Sequence, residues 1–195
     1  MKRGLALLFA AVLLAVGGGL LGVAADPQAG GPLPFVASDG TIQFPGRVRD
    51  EWIHLGSWGS ADLDSADPGQ HDVYTQPETL EAYRKTGEFP DGAVLVKEVR
   101  KIQSGYMTTG PVTWAGDEVL WFVLIKHSKG RFPENDNWGE GWGWALFNAG
   151  ETEKSASTNF RASCLGCHIP ARETDWIYVQ GYPLLRAVHD RPEHE

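Results

Sequence analysis

Val119–Lys126 reads VLWFVLIK, an unbroken apolar run closed by one lysine. Both faces of such a stretch are apolar. It is a central strand buried on two sides or a short buried helix, and its β-branched and aromatic content favours the strand. Upstream, Ala93–Arg100 (AVLVKEVR) has the same character. In a strand, Ala93, Leu95, Lys97 and Val99 share one face, and Val94, Val96 and Glu98 share the other. Lys97 therefore projects from an otherwise apolar face. Asp72–Thr75 and Gly105–Thr109 are further strand candidates. Downstream, Trp138–Phe147 (WGEGWGWALF) is aromatic and Gly-rich and is expected to end as a strand.

Helical signals flank these strands. Val48, Trp52 and Leu55 fall at helical spacing, which predicts a short amphipathic helix over Arg47–Leu55, followed by a loop from Gly56 to Gly69. Thr75-Gln76-Pro77-Glu78 reads as a helix start: Thr75 as cap, Glu78 completing a capping box, Pro77 in the first turn and Gly87 as the stop. Phe89-Pro90-Asp91-Gly92 reads as a turn. Asn159–Cys167 and Tyr182–Val188 are expected to be short helices. No repeat is present. The sum is α+β: mainly an antiparallel sheet with peripheral helices.

The chain has 195 residues, 42% hydrophobic and 22% charged, which is globular composition and fits one domain. Its net charge is −8, and no basic run is present, so a nucleic-acid partner is excluded. Residues 1–25 read as a signal peptide. Lys2 and Arg3 form the positive start, Leu5 to Val16 the apolar centre, and Val23-Ala24-Ala25 the small-residue cleavage site. The competing reading is an uncleaved membrane anchor. Either way the following domain is exported, to the periplasm or its equivalent. Residues 26–46, rich in Gly and Pro, read as a linker or extended arm. The folded domain is expected over 47–190, with a polar tail at 191–195.

The chain has two cysteines, and they stand in Cys164-Leu165-Gly166-Cys167-His168. C-x-x-C-H is the attachment motif of c-type haem. Two thiols one helical turn apart can reach the two vinyl groups of one haem, and His168 then offers an imidazole to the iron. One covalently attached haem c follows, with both thiols consumed. The alternatives are half of a zinc site or a redox dithiol. Zinc needs four ligands, and no second Cys/His cluster stands at usual spacing. A thioredoxin-like pair belongs early in a βαβ unit, whereas this one is near the chain's end.

The second axial position is open to argument. After residue 25 the one remaining methionine is Met107, more readily a packing residue than a ligand. His54, His71, His127, His189 and His194 are the other choices. His71, just before a strand, could instead bond a haem propionate. A five-coordinate iron with an open distal face is the preferred reading, which points to binding or catalysis on a small molecule. Trp138, Trp142 and Trp144 read as core and subunit surface. The acids between Asp62 and Asp72 fit no EF-hand spacing.

From Phe44 to Val188 the chain resembles the cytochrome P-460 and cytochrome c′-beta family. The resemblance is carried by FPGRVRDEW, VYTQPETLEAYRKTGEFPDGAVLVKE, the strand ending at Lys126, GWGWALF, and the late CLGCH followed by DWIYVQGYPLLR. It implies a mostly antiparallel β fold, a homodimer, one haem c held by a proximal histidine, and chemistry on nitrogen oxides. The P-460 branch oxidises hydroxylamine and joins a strand lysine to the haem ring; Lys97 matches that lysine. That branch also places a carboxylate on the distal side as proton acceptor. Counted back from Lys126, the matching residue is Phe122, which cannot accept protons. The c′-beta branch lacks the cross-link and binds NO or CO at a Phe-lined distal face. Glu118, expected on the same strand face as Phe122, and Asp117 are candidate substitutes for the missing acid.

Three functions remain. Lys97 favours an enzyme oxidising hydroxylamine and passing electrons to a redox partner. Phe122 favours a protein that binds NO or CO. A six-coordinate electron carrier would need Met107 or a histidine on the iron.

Overall fold

The computed structural model describes residues 31–60 and 68–185. Residues 1–30, 61–67 and 186–195, with the stretch read as a signal peptide, part of the acidic loop, His189, His194 and the expected polar tail, lie outside the described residues. The elements run α1 (Val48–Glu51), β1 (Ile53–Ser60), β2 (Gly69–Thr75), α2 (Pro77–Thr86), β3 (Val94–Met107), β4 (Gly110–Lys126), β5 (Trp138–Gly139) and β6 (Trp142–Asn148). A helical segment follows: one π turn over Arg161–Leu165, α3 (Gly166–His168), and 3-10 turns over Ile169–Thr174 and Val179–Gly181. The strands form one antiparallel sheet in the order β1-β2-β3-β4-β6-β5. This is the α+β, mainly antiparallel architecture expected from the sequence.

The apolar run lies where its composition demands. β3 and β4 are central, and Lys97 pairs with Phe122 while Glu98 pairs with Trp121. The predicted alternation holds. Leu95 and Leu124 enter a core with Trp142, Trp144, Phe160 and Cys164 beneath α2 and the C-terminal segment. Val94, Val96, Trp121, Val123 and Ile125 enter a second core on the other face. Phe35, Val36, Ile42, Phe44, Val48 and Trp52 cover that second face. Each large apolar side chain buried in this way contributes roughly 1.5–3 kcal/mol.

Four local expectations need correction. The helix predicted over Arg47–Leu55 is only α1; Trp52 is already extended (φ −108°, ψ 164°), and Ile53 begins β1. Val48 and Trp52 still pack on one core, so their spacing reports a shared face and not a continuing helix. The loop predicted from Gly56 to Gly69 is in part strand: β1 runs to Ser60 and β2 begins at Gly69. The backbone approaches closely at Gly56, where a Cβ would make a tight 3.0 Å contact with the Gly181 carbonyl. Thr75 does not cap α2. It ends β2, and its hydroxyl donates to the Val94 carbonyl at 2.7 Å, while Gln76 occupies the N-cap. Finally, Gly105 to Met107 continues β3 and is no separate strand.

The stop of α2 is as expected: Gly87 is left-handed (φ 77°) and its N–H donates to the Tyr83 carbonyl. The turn before β3 closes with the Ala93 N–H donating to the Pro90 carbonyl at 3.0 Å.

Candidate functional site

The C-terminal segment is built to present Cys164, Cys167 and His168. Asn159 starts it: its Oδ1 accepts from the Arg161 N–H at 2.9 Å and from the Ala162 N–H at 3.4 Å. Cys164 lies in the π turn and Cys167 in α3, three residues apart. Both are free thiols; Cys164 is buried and Cys167 is exposed. Burial pushes the Cys164 thiol up to about 11, against a smaller lowering by the charge of Lys97. Tyr178 donates its hydroxyl to the Cys167 carbonyl at 2.5 Å, tying the segment's two arms together.

His168 is fixed from behind. Its Nδ1 lies 2.6 Å from the Trp176 carbonyl, which can only accept, so Nδ1 carries the proton and Nε2 keeps its lone pair. Burial lowers the imidazole pKa, partly opposed by that hydrogen bond, so the neutral ring is the resting form. The ring packs edge-on against Trp144, with centroids 4.9 Å apart.

Facing this segment is the sheet. Cys167, His168, Ile177 and Tyr178 on one side, and Val73, Leu95, Lys97, Phe122 and Leu124 on the other, line a cavity of about 490 Å³. That is within the range of about 300–1,000 Å³ usual for cofactor sites. Trp58, Gln180 and Tyr182 are also part of its lining. The Lys97 ammonium lies 4.1 Å above the centre of the Phe122 ring and 5.7 Å from that of Trp58.

These residues fit a haem. A neutral imidazole, its Nδ1 hydrogen-bonded so that Nε2 keeps its lone pair and would be the ligating nitrogen, borders a largely apolar cavity beside the Cys167 thiol, with the Cys164 thiol buried behind it. Among the described residues no cluster of three or more His, Cys, Asp or Glu side chains gathers.

The structure brings Lys97, Phe122, Cys167 and His168 to one cavity, with Cys164 buried in the core behind it. Glu118 is elsewhere. Leu120 pairs with Val99, but Glu118 pairs with Arg100, so Val119 is an extra residue in a β-bulge. The bulge turns Glu118 to the face opposite Phe122, where it is bonded to Arg49 beside Trp121. It therefore does not stand in for the distal acid. Asp117 is an exposed partner of Lys101. Met107 is 60% exposed at the end of the β3–β4 hairpin. His54 bonds Ser57 and packs on Tyr74, away from the cavity. His71 is fully buried and stacked on Trp58, with ring centroids 3.7 Å apart. His127 is buried just beyond the far end of β4.

Sequence reasoning assigned no role to Trp58, Ile177, Tyr178 or Tyr182. Trp58 fell in a stretch read as loop. The others stand in DWIYVQGY, whose aromatic spacing after the histidine was the available signal.

An antiparallel sheet whose C-terminal helical arm closes an apolar cavity with a cysteine–histidine motif defines a class: haem proteins of β architecture. The Cytochrome P460 family model matches residues 50–179, and the chain belongs to that family, a family of haem-binding cytochromes. No curated protein matches the chain.

Proposed function

We propose that this chain is an exported cytochrome with one haem c, joined through thioethers to Cys164 and Cys167 and ligated by His168, that binds small nitrogen oxides on the side facing the sheet. The observation that carries this reading is the cavity lining. Among the described residues it holds His168, no second histidine and no methionine. On this reading His168 would hold the iron from the C-terminal segment, and the side facing the sheet would take the small ligand.

When bound, the haem supplies an iron that takes diatomic ligands and exchanges single electrons. The chain does the rest. The Trp176 carbonyl orients His168 and makes its Nε2 more basic. Leu95, Leu124 and Phe122 make the facing wall apolar and limit water there. A phenyl ring at position 122 neither donates nor accepts a proton, which suits reversible capture of NO or CO.

The place of Lys97 in the cavity wall favours a second reading, oxidation of hydroxylamine with Lys97 bonded to the macrocycle. That reaction removes both electrons and protons from the substrate. It needs a redox partner for the electrons and a base for the protons. In either reading the protein is a homodimer outside the cytoplasm, without a nucleic-acid partner.

Anaerobic titration of the reduced holoprotein with NO tests the choice. One NO bound per haem, with no turnover of hydroxylamine in the presence of an external oxidant, is expected. Sustained hydroxylamine turnover would overturn the binding reading in favour of the enzyme.

A further inference from the structure

The orientation of His168 depends on the Trp176 carbonyl, and that carbonyl sits in an unusual piece of backbone. Asp175 (φ 55°) and Trp176 (φ 68°) are successive non-glycine residues in the left-handed region. L side chains avoid it, so neighbouring contacts must hold the chain there.

Three contacts converge on Asp175. Lys126 Nζ is 2.6 Å from its Oδ1. Trp142 Nε1–H donates to the Asp175 carbonyl at 3.1 Å and to Oδ1 at 3.2 Å. Lys126 and Trp142 face each other across β4 and β6, and the Lys126 ammonium lies 4.9 Å from the centre of the Trp142 ring. Trp142 is fully buried and Lys126 is 9% exposed, so both are anchored in the rigid sheet. Asp175 immediately precedes Trp176. Gripping its side chain and its carbonyl together fixes the 175–176 peptide, while the Ile177 N–H, donating to the Thr174 carbonyl at 3.2 Å, holds the following peptide, which carries the Trp176 carbonyl. None of the three residues lines the haem cavity; Lys126 and Asp175 border a separate cleft with Phe89 and Asp91.

We propose that Lys126, Trp142 and Asp175 form a clamp that sets the orientation and basicity of His168 from outside the cavity. They are positioning residues for the axial ligand. The proposal rests on the reading of His168 as that ligand.

The test is the iron–histidine stretching band of the ferrous holoprotein, read by resonance Raman spectroscopy. Lys126→Met removes the ammonium and keeps most of the stem. Asp175→Asn keeps an acceptor for Trp142 and removes the charge. Asp175→Gly removes the clamped side chain at a position where glycine adopts the observed φ easily, which protects folding. All three are expected to retain haem and to show a band shifted to lower frequency and broadened. Lys126→Arg, which keeps a charged donor, is expected to return the band toward its parental position. An unshifted band in Lys126→Met, Asp175→Asn and Asp175→Gly would overturn the clamp. Absence of the band from the parent protein would overturn the five-coordinate His168 assignment itself.

Discussion

Lys97 and Glu98 are neighbours in sequence and stand on opposite faces of the same strand pair. The Glu98 carboxylate, 1% exposed, is gripped by Arg49, whose Nε donates to Oε2 at 2.9 Å, and lies 3.5 Å from Arg100 Nε. The Arg49 guanidinium also reaches Glu118 and covers the Trp121 ring at 5.0 Å. Its proton is held more tightly than usual, first through the Glu98 hydrogen bond. On the other face, the Lys97 ammonium lies over the Phe122 ring at the wall of the cavity. One strand thus supplies a structural tie on one side and a cavity wall on the other. Charge is legible as structural or functional from what surrounds it, not from its residue type.

Substitutions on the two faces should therefore separate cleanly. The largest effect is on the cavity side. Cys164→Ala with Cys167→Ala is expected to abolish covalent haem, read as loss of haem staining on a denaturing gel. Covalent haem persisting in the double variant would contradict the assignment. On the opposite face, Glu98→Ala leaves Arg49 and Arg100 around a buried void. It is expected to cost about 3 kcal/mol in urea unfolding. The haem absorption spectrum should not change; a changed spectrum would mean that the two faces are coupled.

The third effect is a pH dependence. The Cys164 pKa is raised by burial to about 11 in the folded apoprotein, from an ordinary value near 9. A raised pKa means that the folded state holds its proton more tightly than the unfolded state. The associated stability, on the order of 2 kcal/mol, is present below pH 9 and is lost as the pH rises toward 11. A thioether has no such proton. Alkaline destabilisation over that window should be seen in the apoprotein and should be smaller in the holoprotein. Equal limbs in both would exclude Cys164 as the cause. The smallest effect is expected from Phe122→Leu, which keeps the wall apolar and removes the ring beneath Lys97. About 1 kcal/mol of stability is expected to be lost. NO binding should persist, since the apolar wall remains; its loss would assign the phenyl ring a direct role.

The central strands and the haem motif were legible in the sequence because each is written in neighbouring residues. VLWFVLIK has no polar face to leave in water, and C-x-x-C-H carries its chemistry in its spacing. β1 was hidden because IHLGSWGS is poor in β-branched residues; it is a strand by pairing with β2 at the edge of the sheet. The displacement of Glu118 could not be read either. A bulge at Val119 is a property of pairing between strands, and it reverses the face of Glu118 before a second irregularity follows between Arg100 and Ile102. The left-handed Asp175 and Trp176 carry no glycine signal at all. They are held by Lys126 and Trp142, which are distant in sequence.

The central claim is that the chain supplies one axial ligand, His168, and leaves the facing position open. The most direct measurement is the absorption spectrum of the dithionite-reduced protein, produced in a host that attaches c-type haem. The account predicts the spectrum of a five-coordinate, high-spin ferrous haem c with a Soret band at the ordinary position. A strongly red-shifted Soret band would mean that Lys97 is bonded to the macrocycle, and the hydroxylamine reading would replace NO capture. A six-coordinate low-spin spectrum would contradict the account outright.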